Sequence, residues 1–313
     1  MRIKAFAQTA QEGNWIKYGG AVLLGLAFLI FLGVLLLSSS SGSVLGGKCV
    51  AVVDINQEIT TASTPPSLFS AGSPGSEEIA NSIDALNKRD DVGAVLFVVD
   101  SPGGSVVGTR EIYDSVKGLN KPKVAYFREV AASGAYYLST GTDYIISEPD
   151  ALTGSIGVIM TVTELSGLLD KLGINATAIK SGESKDIGSE SRPMTDKERA
   201  ILQTMVNEIF DEFKGVVVQN RGSKLNTAKF NEILDGRVVS GRQALAIGLV
   251  DALGTKKDAI RKAAALGNIT DAEPNLCQID TGGGTGGLFG ASLRLPGISE
   301  IAGLGKKASV KFE

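Results

Sequence analysis

The chain begins with one unbroken apolar block and then settles into short apolar runs separated by polar, glycine-rich breaks. The block, Ala21 to Leu37, holds seventeen residues without a polar side chain. As a helix it is about 26 Å long, close to the ~30 Å hydrocarbon core of a bilayer. Arg2, Lys4 and Lys17 precede it and no charge follows until Lys48. That asymmetry puts the N-terminus in the cytoplasm and residues 48–313 outside, and Trp15 and Tyr18 suit an interfacial aromatic belt. The competing reading is a signal peptide cleaved near Ser38-Ser39-Ser40-Ser41. Its apolar core would exceed the usual ~7–15 residues and no Ala-x-Ala follows, which favours an uncleaved anchor. The expected organisation is a cytoplasmic segment (1–20), a single transmembrane helix (21–37), a flexible Ser/Gly-rich linker (38–47), an extracytoplasmic domain (48–280) and a Gly-rich tail (281–313).

Beyond the linker the pattern becomes an alternation. Cys49 to Ile55 is β-branched and reads as a strand. Gly93 to Val99 is continuously apolar before Asp100, as in a strand buried on both faces of a parallel sheet. Lys123 to Phe127 is the next strand. Between them, Ile79, Ile83 and Leu86 form a helical stripe behind Ser76 as N-cap, with Glu77 and Glu78 in its first turn. Ile112, Val116 and Leu119 form a second stripe. Further strands are predicted at Tyr144–Ser147, Ile156–Met160 and Ala176–Ile179. Thr195-Asp-Lys-Glu198 is a capping box opening a long helix to about Gln219, with shorter helices over 227–235, 241–247 and 256–265. Strands alternating with helices argue for an α/β fold with right-handed crossovers.

Composition removes several chemistries. The 313 residues contain no histidine, which excludes Ser-His-Asp and Cys-His catalysis and any His-ligated metal centre. A hydrolase built on this chain needs a carboxylate or a lysine as its base. Cys49 and Cys277 are too few for a disulfide framework or a thiolate cage; they are free thiols or one long-range bridge. A net charge of −3 leaves no electrostatic footprint for nucleic acid. Nothing in the sequence asks for a cofactor or a metal.

Three segments carry residues able to do chemistry. Ser133 lies between Ala132 and Gly134, six residues past a predicted strand. Small neighbours let backbone approach a nucleophile, and a helix opening there offers N–H groups to an oxyanion. The plain alternative is an N-cap serine. Asp100-Ser-Pro-Gly-Gly-Ser105 sits at the carboxyl end of a buried strand, where α/β sheets present ligand sites. The Gly104 N–H is a candidate second oxyanion donor beside that of Gly134, unless the segment is only a turn capped by Ser101 or Ser105. Lys185, in the polar stretch Ser181–Ile187, reads in isolation as a solvated loop residue. As a base it must shed its proton near neutral pH, which exclusion of water favours. It can then take the Ser133 proton and return it to the leaving amine. Ser155 can orient that amine by a hydrogen bond, or be a turn serine.

Taken in order, several motifs resemble the bacterial signal peptide peptidase A family in its short form, over roughly Lys48 to Leu253. They are Asp100-Ser-Pro-Gly-Gly-Ser-Val106, Ala131-Ala-Ser-Gly134 with Tyr136-Tyr137, Leu152-Thr-Gly-Ser-Ile-Gly157, Ile179-Lys-Ser-Gly-Glu-Ser-Lys-Asp-Ile187, Arg192-Pro-Met-Thr195 and Asp235-Gly-Arg-Val238. The resemblance implies a Clp-protease/crotonase-like fold and a membrane-anchored serine endopeptidase with a Ser/Lys dyad. On that resemblance Ser133 is the nucleophile, Lys185 the general base, Gly104 and Gly134 the oxyanion hole, and Ser155 the residue that orients the lysine. The 52 residues from Ser133 to Lys185 also resemble the spacing of short-form members. A homo-oligomeric ring is implied, in which a subunit can share its Ser and Lys with a neighbour, acting on peptides such as signal-peptide remnants and membrane-protein fragments. Ala135 departs from the pattern, standing where many members have a second glycine, and is expected to add a methyl beside the S1 region. Two other classes stay open: a crotonase-type acyl-CoA enzyme, which needs a carboxylate base, and a non-catalytic scaffold. The tail after Thr281 is expected to be open to self-cleavage.

Overall fold

A computed structural model of the chain describes residues 47–65, 72–279 and 281. The expected cytoplasmic segment, transmembrane helix, most of the linker and nearly all of the tail lie outside the described residues. No helix among the described residues is long and apolar enough to cross a membrane.

The β-branched runs build one eight-stranded sheet. Its strands are β1 (Cys49–Ile55), β2 (Val92–Ser101), β3 (Lys123–Ala132), β4 (Tyr144–Ser147), β5 (Leu152–Gly154), β6 (Val238–Ser240), β7 (Ala252–Leu253) and β8 (Leu276–Gln278). The order is β6-β5-β3-β2-β1-β8, with β4 pairing β3 and β7 pairing β4. Every pairing is parallel except β5 with β6. The helices are α1 (Ser76–Ala85), α2 (Val106–Gly118), α3 (Gly134–Ser139), α4 (Ser166–Lys171), α5 (Asp196–Arg221), α6 (Thr227–Glu232), α7 (Gly241–Ile247) and α8 (Lys256–Leu266).

Period-two alternation explains why the central strands are apolar throughout. Val53, Ile55, Val95, Phe97, Val99, Ala125 and Phe127 point into one core with Ile83 of α1 and Ile112 and Val116 of α2. Val50, Val52, Leu96, Val98, Val124 and Tyr126 point the other way, into a second core with Ala259, Ala263 and Ala264 of α8. Helices cover both faces, so neither face can be polar.

One edge of β3 changes partner along its length. Val124 to Phe127 pair with β4, whereas Val130 to Ala132 pair with β5. The sheet therefore forks just before Ser133. On the other edge, the register with β2 slips between Val99 and Ser101. Both irregularities fall where the chain is about to leave the sheet.

Three expectations need correction. Ile156–Met160 and Ala176–Ile179 are not strands; Ile159 is 87% exposed and Ile179 fully so. A β-branched run carries no record of whether the sheet has an edge to receive it. Here β5 takes the end of β3, and β6 takes the other edge of β5. Ser76 is not the N-cap of α1, which is Gly75; Ser76 lies in the first turn, buried, with its hydroxyl donating to Glu111. The other predicted strands and helices fall within a few residues of their expected positions, while β5 to β8 and α4 were not expected.

Cys49 and Cys277 form the long-range bridge, with Cα atoms 5.9 Å apart, tying β1 to the edge strand β8. Closing a loop of 228 residues removes much chain entropy from the unfolded state, which is worth roughly 2–4 kcal/mol. The double substitution Cys49→Ser/Cys277→Ser should lower unfolding stability by about that amount, and reductant should move the wild-type midpoint to the same place. Identical midpoints with and without reductant would contradict a stabilising bridge.

Candidate active site

Ser133 stands where β3 ends and α3 begins. Its N–H donates to the Gly154 carbonyl at 2.9 Å, extending the β3–β5 ladder by one residue, and its carbonyl accepts from Tyr137 N at 2.9 Å, starting the helix. The two demands meet in one residue, and Ser133 adopts φ 53° and ψ −123°. Such backbone costs a residue with a Cβ about 1–3 kcal/mol. Although Ser133 occupies the N-cap position, its side chain caps nothing. The plain N-cap reading is therefore not what the hydroxyl does.

The Pro102-Gly-Gly turn packs directly against this corner. A Cβ on Gly103 would lie 2.6 Å from Gly134 N and 3.0 Å from Ser133 Cβ, so no larger residue fits there. On the far side Ile59 straps the turn: Ile59 N donates to Gly103 O at 2.7 Å and Ser105 N to Ile59 O at 2.8 Å. In that parallel bridge the N–H of the residue between, Gly104, points away from Ile59. Gly104 has φ 149°. Ser101 and Ser105 do cap the turn as the plain reading expected, accepting from Gly103 N and Gly108 N. Among the described residues neither Gly104 N nor Gly134 N donates a hydrogen bond.

Ser133, Gly104 and Gly134 line one open cleft of about 580 Å³. Val106, Ile159, Ile209 and Phe213 give it apolar walls, and Arg110, Tyr137 and Glu212 a polar rim. Arg110 Nη2 donates to Glu212 Oε1 at 2.6 Å, and Tyr137 OH to the same oxygen at 3.4 Å. Burial, and then the Glu212 charge, push the Tyr137 phenol up to about 12, so it stays protonated at working pH. The cleft's one carboxylate is thus already engaged by a guanidinium.

Beneath Gly134 sits Thr109 of α2, 4% exposed. Its Oγ1 is the one buried side-chain polar atom without a hydrogen-bond partner among the described residues. A Cβ on Gly134 would lie 2.3 Å from that oxygen. Thr109, Arg110, Glu212 and Phe213 were not singled out from the sequence. The signal available for Thr109 was its place in line with Ile112 and Val116 at helical spacing, which turns it inward.

Ser155 lies beside this corner, next to the Gly154 carbonyl that Ser133 N contacts, with φ 49° and its own N–H on Arg237 O at 3.0 Å. Ala135 is fully buried in the core and does not line the cleft. Its methyl therefore does not narrow the cleft, contrary to expectation. Lys185 is brought to no cleft-lining position within the single chain. It is exposed, on a turn-rich loop, and Nζ has no hydrogen bond or ion pair among the described residues. The loop itself is held by charge. Hydrogen bonds from Arg192 and Lys180 keep Asp186 well below the usual carboxylate range, and Arg192 with Thr195 N–H brings Glu198 to about 2.

Residues 116–270 match peptidase family S49. A Methanocaldococcus jannaschii protein named "Putative protease" is 39% identical over 254 residues, 80% of each chain. An Enterococcus faecium protein named "Putative signal peptide peptidase SppA" is 35% identical over 219 residues, 69% of this chain and 63% of that one. Among solved structures, a mutant of a membrane-bound stomatin-specific protease covers 75% of this chain and 99% of its own at 14% identity and TM-score 0.47, too loose a likeness to carry weight. The chain belongs to peptidase family S49. It is a peptidase of the group that the ordered motifs resemble.

Two tests follow from the geometry. Gly134→Ala should destabilise the fold by about 1–3 kcal/mol, because the new methyl meets Thr109 Oγ1. In a Thr109→Ala background that cost should fall by more than half; simple additivity in denaturant unfolding would contradict the contact. The second test concerns acid. Both loop carboxylates have folded values below their ordinary ~3.9–4.3, so their contribution is complete above that range and lost as pH falls toward 2. Hydrogen exchange over 180–198 should be slow at pH 5 and accelerate selectively between pH 4 and 2 relative to β1–β3; parallel behaviour of loop and sheet would contradict it.

Proposed function

We propose that this peptidase is a membrane-anchored serine endopeptidase in which Ser133 is the nucleophile and Lys185 of a neighbouring copy is the general base. The observation that carries the reading is the strained Ser133 corner flanked by two unengaged N–H groups on one cleft. An uncharged Lys185 amine takes the proton of Ser133 Oγ as that oxygen attacks the scissile carbonyl carbon. The carbonyl oxygen becomes an oxyanion and is held by Gly104 N–H and Gly134 N–H. The ammonium then protonates the departing amine, and water repeats the sequence on the acyl-enzyme. Ser155 orients the lysine amine.

Two features support a shared site. Lys185 projects into solvent on a single chain, and the segment leading to it exposes large apolar side chains at Ile159, Met160, Leu168, Leu172, Ile174 and Ile179. Large apolar side chains exposed together along one segment are a feature of subunit interfaces. A Clp-protease/crotonase-like ring accommodates both. The acyl-CoA alternative loses its natural base, because Glu212 is occupied by Arg110. An extracytoplasmic position agrees with the Cys49–Cys277 bridge, since such bridges persist in oxidising compartments. A catalytic domain tethered by a short linker stays within tens of Å of the bilayer. With its apolar walls, the cleft suits signal-peptide remnants and other membrane-derived peptides.

Ser133→Ala and Lys185→Ala should each lower peptide cleavage by about 10³-fold or more. Subunits of the two variants, dissociated and reassembled together, should regain activity, because an intact serine then meets an intact lysine. Mixtures as inert as their parents would place both residues in one subunit's site. Undiminished cleavage by Ser133→Ala would remove the nucleophile from the scheme.

A further inference from the structure

Arg192, in the Arg-Pro-Met-Thr motif, has no part in the scheme above, yet it makes the densest set of polar contacts in the lysine-bearing region. Its Nε and Nη2 donate to Asp186 Oδ2 and Oδ1 at 2.9 and 2.7 Å. Nη1 and Nη2 donate to Glu198 Oε2 and Oε1 at 2.8 and 2.5 Å. One guanidinium therefore forks onto two carboxylates at once. Asp186 is the residue after Lys185. Glu198 is the capping-box residue of α5, buried and also accepting from Thr195 N at 3.0 Å. Three turns further along, α5 supplies Ile209, Glu212 and Phe213 to the wall of the Ser133 cleft. A single side chain thus joins the lysine loop to the helix that walls the cleft.

The same contacts settle the charge next to Lys185. Asp186 also accepts from Lys180 Nζ at 2.6 Å, so its oxygens are engaged by two cations. Were it unengaged, Asp186 would compete for the neighbouring Lys185 amine as an ion-pair partner. Glu183 pairs with Lys197 at 2.6 Å, while Glu164 and Arg199 share with Arg192 the lining of an adjacent hollow.

We propose that Arg192 is a positioning residue for the reaction: it fixes the Lys185 loop to α5 and occupies Asp186, leaving the lysine amine unpaired. The proposal rests on Lys185 being the general base. Lysine cannot replace Arg192 in this role, because an ammonium lacks the planar fork.

The test is steady-state peptide cleavage across pH by the full-length protein. The variants are Arg192→Lys, Arg192→Met, Asp186→Asn/Arg192→Met and Lys185→Ala, each checked for thermal midpoint and assembly. Loosening a reacting group by about 1 Å costs on the order of 100-fold. Arg192→Met should therefore lose about 10–100-fold in kcat with KM within about twofold, and Arg192→Lys should lose nearly as much. The pH of half-maximal rate should rise in Arg192→Met, where Lys180 alone still engages Asp186, and return toward wild type in Asp186→Asn/Arg192→Met, where that carboxylate is gone. A purely structural role would lower the midpoint while leaving kcat per folded molecule and the pH profile unchanged; that result overturns the proposal. Should Arg192→Met fail to fold, Arg192→Lys decides on kcat per folded molecule, because its ammonium still offers Asp186 a cation and leaves the pH profile in place. If Lys185→Ala cleaves like wild type, the reading of Lys185 falls; if Lys185→Ala is inert and the Arg192 variants behave as wild type, only the role of Arg192 falls.

Discussion

A serine holds φ near 53° only when its neighbours leave no other course, and at Ser133 they do. The residue before it is locked into a ladder with β5, and the residue after it opens a helix. There is no room for a Cβ on Gly103, which would meet Gly134 N, or on Gly134, which would meet Thr109 Oγ1. The side chain is left at the mouth of a cleft with nothing to cap. The strain of about 1–3 kcal/mol is offset by the packing of β2 and β3, whose apolar side chains fill both cores. The rigidity of the sheet is thus what holds Ser133, Gly104 and Gly134 on one cleft.

The long helix α5 distributes this rigidity outward. At its C-terminal end Arg221 is buried and paired with Asp251 at 2.9 Å, and Asp251 also accepts from Ile145 N of β4 at 2.8 Å. A buried pair of this kind stabilises little by itself, but breaking one partner is costly because the other charge is stranded. At its N-terminal end the helix is held by Glu198, Thr195 and Arg192. Its middle forms a wall of the cleft. One element therefore spans from the sheet edge through the site to the lysine loop, with an ionic fastening at each end.

Much of this was legible in the sequence, for stated reasons. The central strands announced themselves because both faces are covered, leaving no polar alternation to confuse the pattern. Thr195 and Glu198 marked the start of α5 because a capping box is local chemistry. The absence of histidine leaves a serine such as Ser133 only a carboxylate or a lysine such as Lys185 as its base. The failures share a cause. Ile156–Met160 and Ala176–Ile179 have strand composition, but composition does not say whether an edge is vacant. Thr109, Arg110 and Glu212 share the cleft with Ser133 only through long-range packing; the Asp100–Val106 motif lies just before Thr109 and Arg110, but nothing near Glu212 in sequence marks a site. Ala135 was expected beside the S1 region from its departure from the family pattern, whereas its side chain is buried in the core.

The central claim is that Ser133 Oγ is an activated nucleophile in a site completed by Lys185. A small acyl-type serine probe, such as a fluorophosphonate, tests it most directly when reaction is followed by intact mass and peptide mapping. The account predicts one adduct per chain, on Ser133, formed quickly by wild type and at a strongly reduced rate by Lys185→Ala. Adducts spread over several serines, or equal labelling of Ser133 with and without Lys185, would contradict it.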